Sequence, residues 1–281
     1  MVVVISYACW LKIPLTVELA KVRSEIAKNL GKAQAIASHL RVRRRGEEMI
    51  LEVIAAPYFA TNCWIFAPSK NSECFIVDPG MANPNLVSQI KSVVNKFNLK
   101  PIAVPVTHGH LDHTFSVQPF ANEYEIPALI HSTDRKLLAD PYRALTPGGE
   151  SSQIMAAFGV TKFEEPKIVR ELIDGERFAI AGFDIEVSHA PGHTAGSAIF
   201  KVNDEFLISG DVLFAGAIGR TDLPTGSAVA MRNSLISKIL PLDDELIVLP
   251  GHGPQTTIGR ERKANPYLQE HFLQSKPERG E

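Results

Sequence analysis

Thr107 to His113 reads THGHLDH, which places three histidines and one aspartate within seven residues. A lone histidine is more often an ordinary core or surface residue than a ligand, but coordinating side chains this dense are a different case. Neutral imidazole combined with carboxylate suits zinc, iron or manganese, and such a cluster would repel itself once its histidines were protonated. The chemistry implied is metal binding.

Three further groups share the same setting. His193 in APGHTAGS, Asp211 in SGD and His252 in LPGH each follow a short apolar run. With His108, His110, Asp112 and His113 they make seven candidate ligands, too many for one tetrahedral ion. Two divalent ions fit if one carboxylate bridges them, and Asp211 at its strand end is the natural bridge. Coordination positions then stay open for water, as in a catalytic site rather than a closed structural one.

The elements that must position these groups are short strands. IAVPV (Ile102 to Val106) is apolar and rich in β-branched residues, and FDIEV, EFLIS and ELIVL read the same way ahead of the other ligands. Strands lying side by side bring their ends to one edge, and Gly192, Gly210 and Gly251 allow the tight backbone such loops need. Between strands, NLVSQIKSVVNKFN sets Leu86, Ile90, Val93, Val94 and Phe97 on one helical face. This alternation indicates a layered α/β domain.

At these residues the chain resembles the metallo-β-lactamase superfamily. HGHLDH has its HxHxDH signature, and PGHTAGS, SGDVLF and PGHGPQTT match its later motifs in order, from about Ile50 to His271. Within that superfamily, GDVLFAGAIGRTDLPTG and LPGHGPQTTIGRERKANPYL are similar to single-domain glyoxalase II-like hydrolases, which cleave thioesters of the hydroxyacylglutathione type. The resemblance implies an αβ/βα four-layer sandwich. It also implies one metal held by His108, His110 and His193, a second held by Asp112, His113 and His252, and Asp211 between them. Zinc is the expected metal, with iron or manganese as alternatives. Asp112 and Asp211 are the expected catalytic acids, and the implied reaction is attack of a metal-held hydroxide on a small-molecule hydroxyacyl thioester. A thiolate leaves without full protonation, so such a site needs no separate general acid.

Other readings of the same motifs are a mononuclear iron persulfide dioxygenase, which shares a GRTD-like stretch (here Gly219 to Asp222), a lactone or β-lactam hydrolase, and a non-catalytic metal-binding protein. Larger glyoxalase II enzymes carry a C-terminal helical domain that supplies cations for the glutathione carboxylates. Only 29 residues follow His252, so the thiol carrier stays open. Phe115 stands where the family often has a small residue. Asp78 in DPG is readable either as support for the ligands or as a turn former, while His131 and His189 match no ligand position.

Charge divides the chain. Residues 1–48 hold nine Lys/Arg against four Asp/Glu, whereas 49–281 hold 20 against 27. An acidic body lacks the footprint of a nucleic-acid binder. The leading segment has too short an apolar run to span a bilayer and includes a stretch patterned as an amphipathic cationic helix. The expected organisation is an N-terminal extension, 1–48, that need not belong to the mature fold, followed by a catalytic domain, 49–281. Cys9, Cys63 and Cys74 form no CxxC motif, which points away from a disulfide framework and towards a cytoplasmic setting.

Overall fold

The computed structural model describes residues 37–44, 47–144 and 162–274, all within one compact unit, Ala35–Glu281. Of the stretch expected as an amphipathic helix, Glu18 to Gly46, residues 18–36 lie outside the described residues, as does Cys9, but Ala37–Arg44 is a β-strand and not a helix, held in a ladder with the strand that follows it. Among the described residues, strands β1 (Ala37–Arg44), β2 (Glu47–Ala55), β3 (Asn62–Ala67), β4 (Glu73–Val77), β5 (Lys100–Val106), β6 (Ala128–His131) and β7 (Val169–Leu172) form one sheet in sequence order. A second sheet contains β8 (Arg177–Ile180), β9 (Phe183–His189), β10 (Ala198–Val202), β11 (Phe206–Gly210), β12 (Ile247–Pro250) and β13 (Thr256–Thr257), ordered β13-β12-β11-β10-β9-β8.

Side-chain alternation along the strands sets the layers. In β3, Cys63 and Ile65 face one way while Trp64 and Phe66 face the other, and all four are buried. A strand that is apolar on both faces must be covered on both. On the outer face, Ile65 belongs to a core that includes Ile90, Val93 and Val94 of α1 (Val87–Phe97). Beyond the short α2 (Leu111–Thr114), α3 (Val117–Tyr124) adds Val117 and Phe120 to that core. The inner face meets the second sheet. There Phe66 stacks on Phe75 at 4.8 Å between centroids and meets the edges of Phe183 and Phe206 at 5.8 and 5.9 Å. The second sheet repeats the logic, since Phe200 and Phe206 point inward while Ile199 and Leu207 pack on α4 (Ala228–Ser234), the π-helical turn Leu235–Ile239 and α5 (Ile258–Ala264). The result is helix, sheet, sheet, helix, as the αβ/βα expectation has it.

The strands that deliver candidate ligands run in parallel pairs. β5 pairs with β6, ending at Val106↔Ile130, and β11 pairs with β12 through Ile208↔Leu249. Backbone bonds then join the two sheets at this edge: Ala198 N–H donates to Thr107 O at 2.8 Å, and Asn62 N–H to Gly251 O at 2.7 Å.

β1 lies ahead of Met49. It is an edge strand that pairs with β2 from Ala37↔Ile54 to Arg44↔Glu47, so Met49 itself falls within β2. Among the described residues, no helix is long and apolar enough to cross a membrane.

Candidate metal centre

The loop after β5 turns at once into α2, so His108 and His110 precede the helix while Asp112 and His113 sit in its first turn. The β9–β10 loop brings His193, the end of β11 brings Asp211, and the loop after β12 brings His252. Two glycines make the approach possible. Gly210 has φ +49°, and a Cβ there would lie 2.5 Å from Thr107 Oγ1; a Cβ on Gly251 would lie 2.2 Å from Asp211 Oδ1.

All seven residues converge. His108, His110 and His193 form one trio, Asp112, His113 and His252 another, and His108, His113 and Asp211 a third, each with its ligand atoms within 4.8 Å of one another. His110 Nδ1 is 2.7 Å from His193 Nε2, and His252 Nε2 is 3.2 Å from both His113 Nε2 and Asp112 Oδ2. Asp211 stands between the first two trios. Its Oδ1 is 3.3 Å from His113 Nε2, and its Oδ2 is 3.4 Å from His193 Nε2 and 3.5 Å from His252 Nε2.

These residues fit a cation by a test independent of their spacing. His108 Nε2, His110 Nε2 and Asp211 Oδ1 are buried without a hydrogen-bond partner. Buried polar atoms left so are costly, and a metal ion satisfies lone pairs that have no donor. The outer nitrogens of other rings are engaged: His113 Nδ1 with Asp78 Oδ2 at 3.0 Å, His193 Nδ1 with Arg220 O at 2.8 Å, and His252 Nδ1 with Phe59 O at 3.1 Å. Donation there fixes the ring and turns Nε2 inward.

Electrostatics divide the site. Burial, with His113 and His193 adding to it, holds His108 well below the usual imidazole range, and burial beside His193 brings His110 down to about 3. Burial also lowers His193. On the other side burial acts against protonation but is outweighed. Asp211 and Asp112 hold His113 well above its ordinary value, and Asp211 with Asp112 raises His252 to about 9. Reciprocally, burial tends to raise the two carboxyls, yet His252 and His113 hold Asp211, and His113 with His252 holds Asp112, below the usual carboxylate range.

Asp78 is placed as support. Buried, with φ +48°, it accepts from Thr107 N–H at 2.8 Å and Thr107 O–H at 2.6 Å, and it meets His113. His131 and His189 stay out of the centre and stack on each other at 3.9 Å with 6° between their planes. His271 is exposed, and Phe115 is buried with its ring edge-on to Phe163. Two supports of the second trio escaped the sequence reading. Asn62 Nδ2 donates to Pro250 O and Gly253 O at 3.0 and 2.8 Å, bracketing His252, and Thr61 O–H donates to Asp112 Oδ2 at 3.2 Å. Their only signal was a polar pair at the start of an otherwise apolar strand, TNCWIF.

A four-layer α/β sandwich with a cluster of histidines and aspartates at the sheet edge defines a metal-dependent hydrolase. Residues 56–252 match the family model described as the metallo-beta-lactamase superfamily, and the chain belongs to that superfamily. An uncharacterized protein of Mycobacterium tuberculosis is 40% identical over 229 residues, covering 79% of this chain and 98% of its own. The hydroxyacylglutathione hydrolase GloC of Haemophilus influenzae is 33% identical over 222 residues, covering 78% and 98%. Among solved structures, BLEG-1 B3 metallo-beta-lactamase aligns with a TM-score of 0.67 at 33% identity, over 78% of this chain and 99% of that one.

Proposed function

We propose that this protein is a binuclear thioester hydrolase of the glyoxalase II type, acting on a hydroxyacyl thioester of a low-molecular-weight thiol. The observation that carries the reading is Asp211, a buried carboxylate within 3.5 Å of histidines from both trios. The likeness to GloC supports the thioester as substrate. His108, His110 and His193 would hold one ion and Asp112, His113 and His252 the other, with zinc the first candidate and iron or manganese the alternatives.

When bound, two such ions polarise a carbonyl and make water acidic enough to supply a nucleophile near neutral pH. The chain's own residues do the rest. Asp211 keeps the trios in one frame, its Oδ1 against His113 and its Oδ2 against His193 and His252. Asp112 is the more open acid, with 22% of its side chain exposed against 9% for Asp211, and Thr61 fixes its Oδ2. In this reading Asp112 would help hold the second ion and orient the attacking water. The substrate would be a small molecule, and the excess of Asp/Glu over Lys/Arg in residues 49–281, 27 against 20, disfavours nucleic acid as a partner.

The test is a panel of thioesters on metal-reconstituted protein, read by free-thiol release. Turnover of hydroxyacyl thioesters with two ions per chain is the expected result. Oxygen uptake on a persulfide with one iron would replace this reading with a dioxygenase. Turnover of a β-lactam in preference to every thioester would move it towards the BLEG-1 B3 metallo-beta-lactamase.

A further inference from the structure

Asp134 is a buried acid that has no place among the ligands. It lies in the 3-10 segment Ser132–Leu138, directly after β6, and is 1% exposed. Because β6 runs parallel to β5, the segment after β6 comes out beside the loop after β5, which holds His108 and His110. Asp134 reaches both metal-bearing loops of the first trio. Its Oδ2 accepts from Gly109 N–H at 2.9 Å, between His108 and His110, and from Thr194 O–H at 2.7 Å, next to His193. Its Oδ1 accepts from Gly196 N–H at 2.8 Å.

The network leaves Asp134 acting only as an acceptor. Ser197 Oγ accepts from Thr194 N–H at 3.0 Å and lies 2.8 Å from Thr194 Oγ1, so with the Thr194 proton given to Asp134 the Ser197 hydroxyl donates to Thr194. The glycines show how closely the carboxylate is seated. A Cβ on Gly196 would stand 2.5 Å from Asp134 Cγ and Oδ1, and one on Gly109 would stand 2.4 Å from Leu137 Cβ in the same 3-10 segment. The second trio is held by other groups: Asp78 on His113, Thr61 on Asp112, and Asn62 with Phe59 O around His252.

We infer that Asp134 is a positioning residue dedicated to one of the two ions: it fixes the loops of His108, His110 and His193 from both sheets while leaving Asp112, His113 and His252 alone. The inference rests on the binuclear reading above. A carboxylate suits the task because three donors converge on it, whereas an amide would offer one oxygen and turn an N–H towards at least one of those donors. Loss of such an outer partner typically lowers metal affinity by about 10- to 100-fold.

The experiment measures cobalt(II) binding by titration and by absorption spectrum, on wild type, Asp134→Asn, Thr194→Val, His110→Ala and His252→Ala. Wild type taking up two ions establishes the reading on which the inference stands; uptake of one ion would refute that reading and this inference with it. In Asp134→Asn one ion should bind about 10- to 100-fold more weakly, and the spectrum of the remaining ion should coincide with that of His110→Ala, not with that of His252→Ala. Thr194→Val, which keeps the side-chain volume and removes one donor, should weaken the same ion to a smaller degree, and it decides the matter if Asp134→Asn does not fold. Two ions bound with unchanged affinity, or equal weakening of both, would overturn the assignment.

Discussion

The individual side chains make the sharpest demands. Among the described residues, Asp211 is the only carboxylate that meets histidines of both outer trios, so in Asp211→Ala metal content should fall to one ion or fewer. Hydrolysis should fall by more than the roughly 10- to 100-fold typical of losing an outer partner; full turnover with two ions would refute the bridge. His131→Ala and His189→Ala should each retain two ions, because their rings stack on each other outside the cluster. A lost ion in either would show the ligand set to be wrong. The raised pKa of His252 yields a third outcome. In metal-free protein it is protonated below about 9, held so against burial by Asp211 and then Asp112. A metal must displace that proton, so loading at neutral pH releases protons and affinity rises as pH climbs towards 9. Calorimetry in buffers of different ionisation enthalpy measures the release; none at pH 7 would contradict it. The seven residues that converge were readable from sequence because each has a side chain of metal-ligating type and stands close after the end of a strand. The supports were not: Asp134, Asn62 and Thr61 act on backbone groups and side chains of loops far away in the sequence, and nothing local in HSTDRK or ATNCW reports which group will lie opposite.

Among the elements, β3 shows why period-two reading succeeds in the middle of this fold. Its alternate residues go to different cores, and both are dry, so after Asn62 the run CWIFA is apolar throughout and reads as a buried strand. Which face meets the second sheet and which meets α1 is not in that pattern, because both faces are equally apolar. The difference lies in the partners, namely the aromatic group of Phe66, Phe75, Phe183 and Phe206. Phe66→Ala should therefore destabilise the fold by about 3–5 kcal/mol, the usual cost of removing a buried aromatic side chain. Urea unfolding of metal-free protein measures this, and a loss below about 1 kcal/mol, within the range of tolerated core swaps, would mean that the ring cluster matters little to the contact between the sheets.

For the whole molecule, the open question is where the catalytic body begins. Charge and resemblance place the start at Met49, while the described unit begins at Ala35 and includes β1 ahead of that point. The two are compatible if β1 is an added edge. Among the described residues its ladder is with β2 alone, and β2 keeps a second ladder with β3 from Ile50↔Ala67 to Ala55↔Asn62. No candidate ligand precedes His108, so the loops that carry the centre are all retained when the chain starts at Met49. Such a protein should fold, bind two ions and keep its thioester turnover, with a modest fall in thermal midpoint from the exposed β2 edge. Edge exposure also creates a template for pairing between chains, so the comparison needs a third protein that starts at Ala37 and keeps β1. Metal content, midpoint and light scattering of the full chain, the Ala37 start and the Met49 start separate the cases. If the Ala37 protein is sound while the Met49 protein aggregates or loses its metals, β1 belongs to the catalytic fold and the boundary at Met49 is misplaced by one strand.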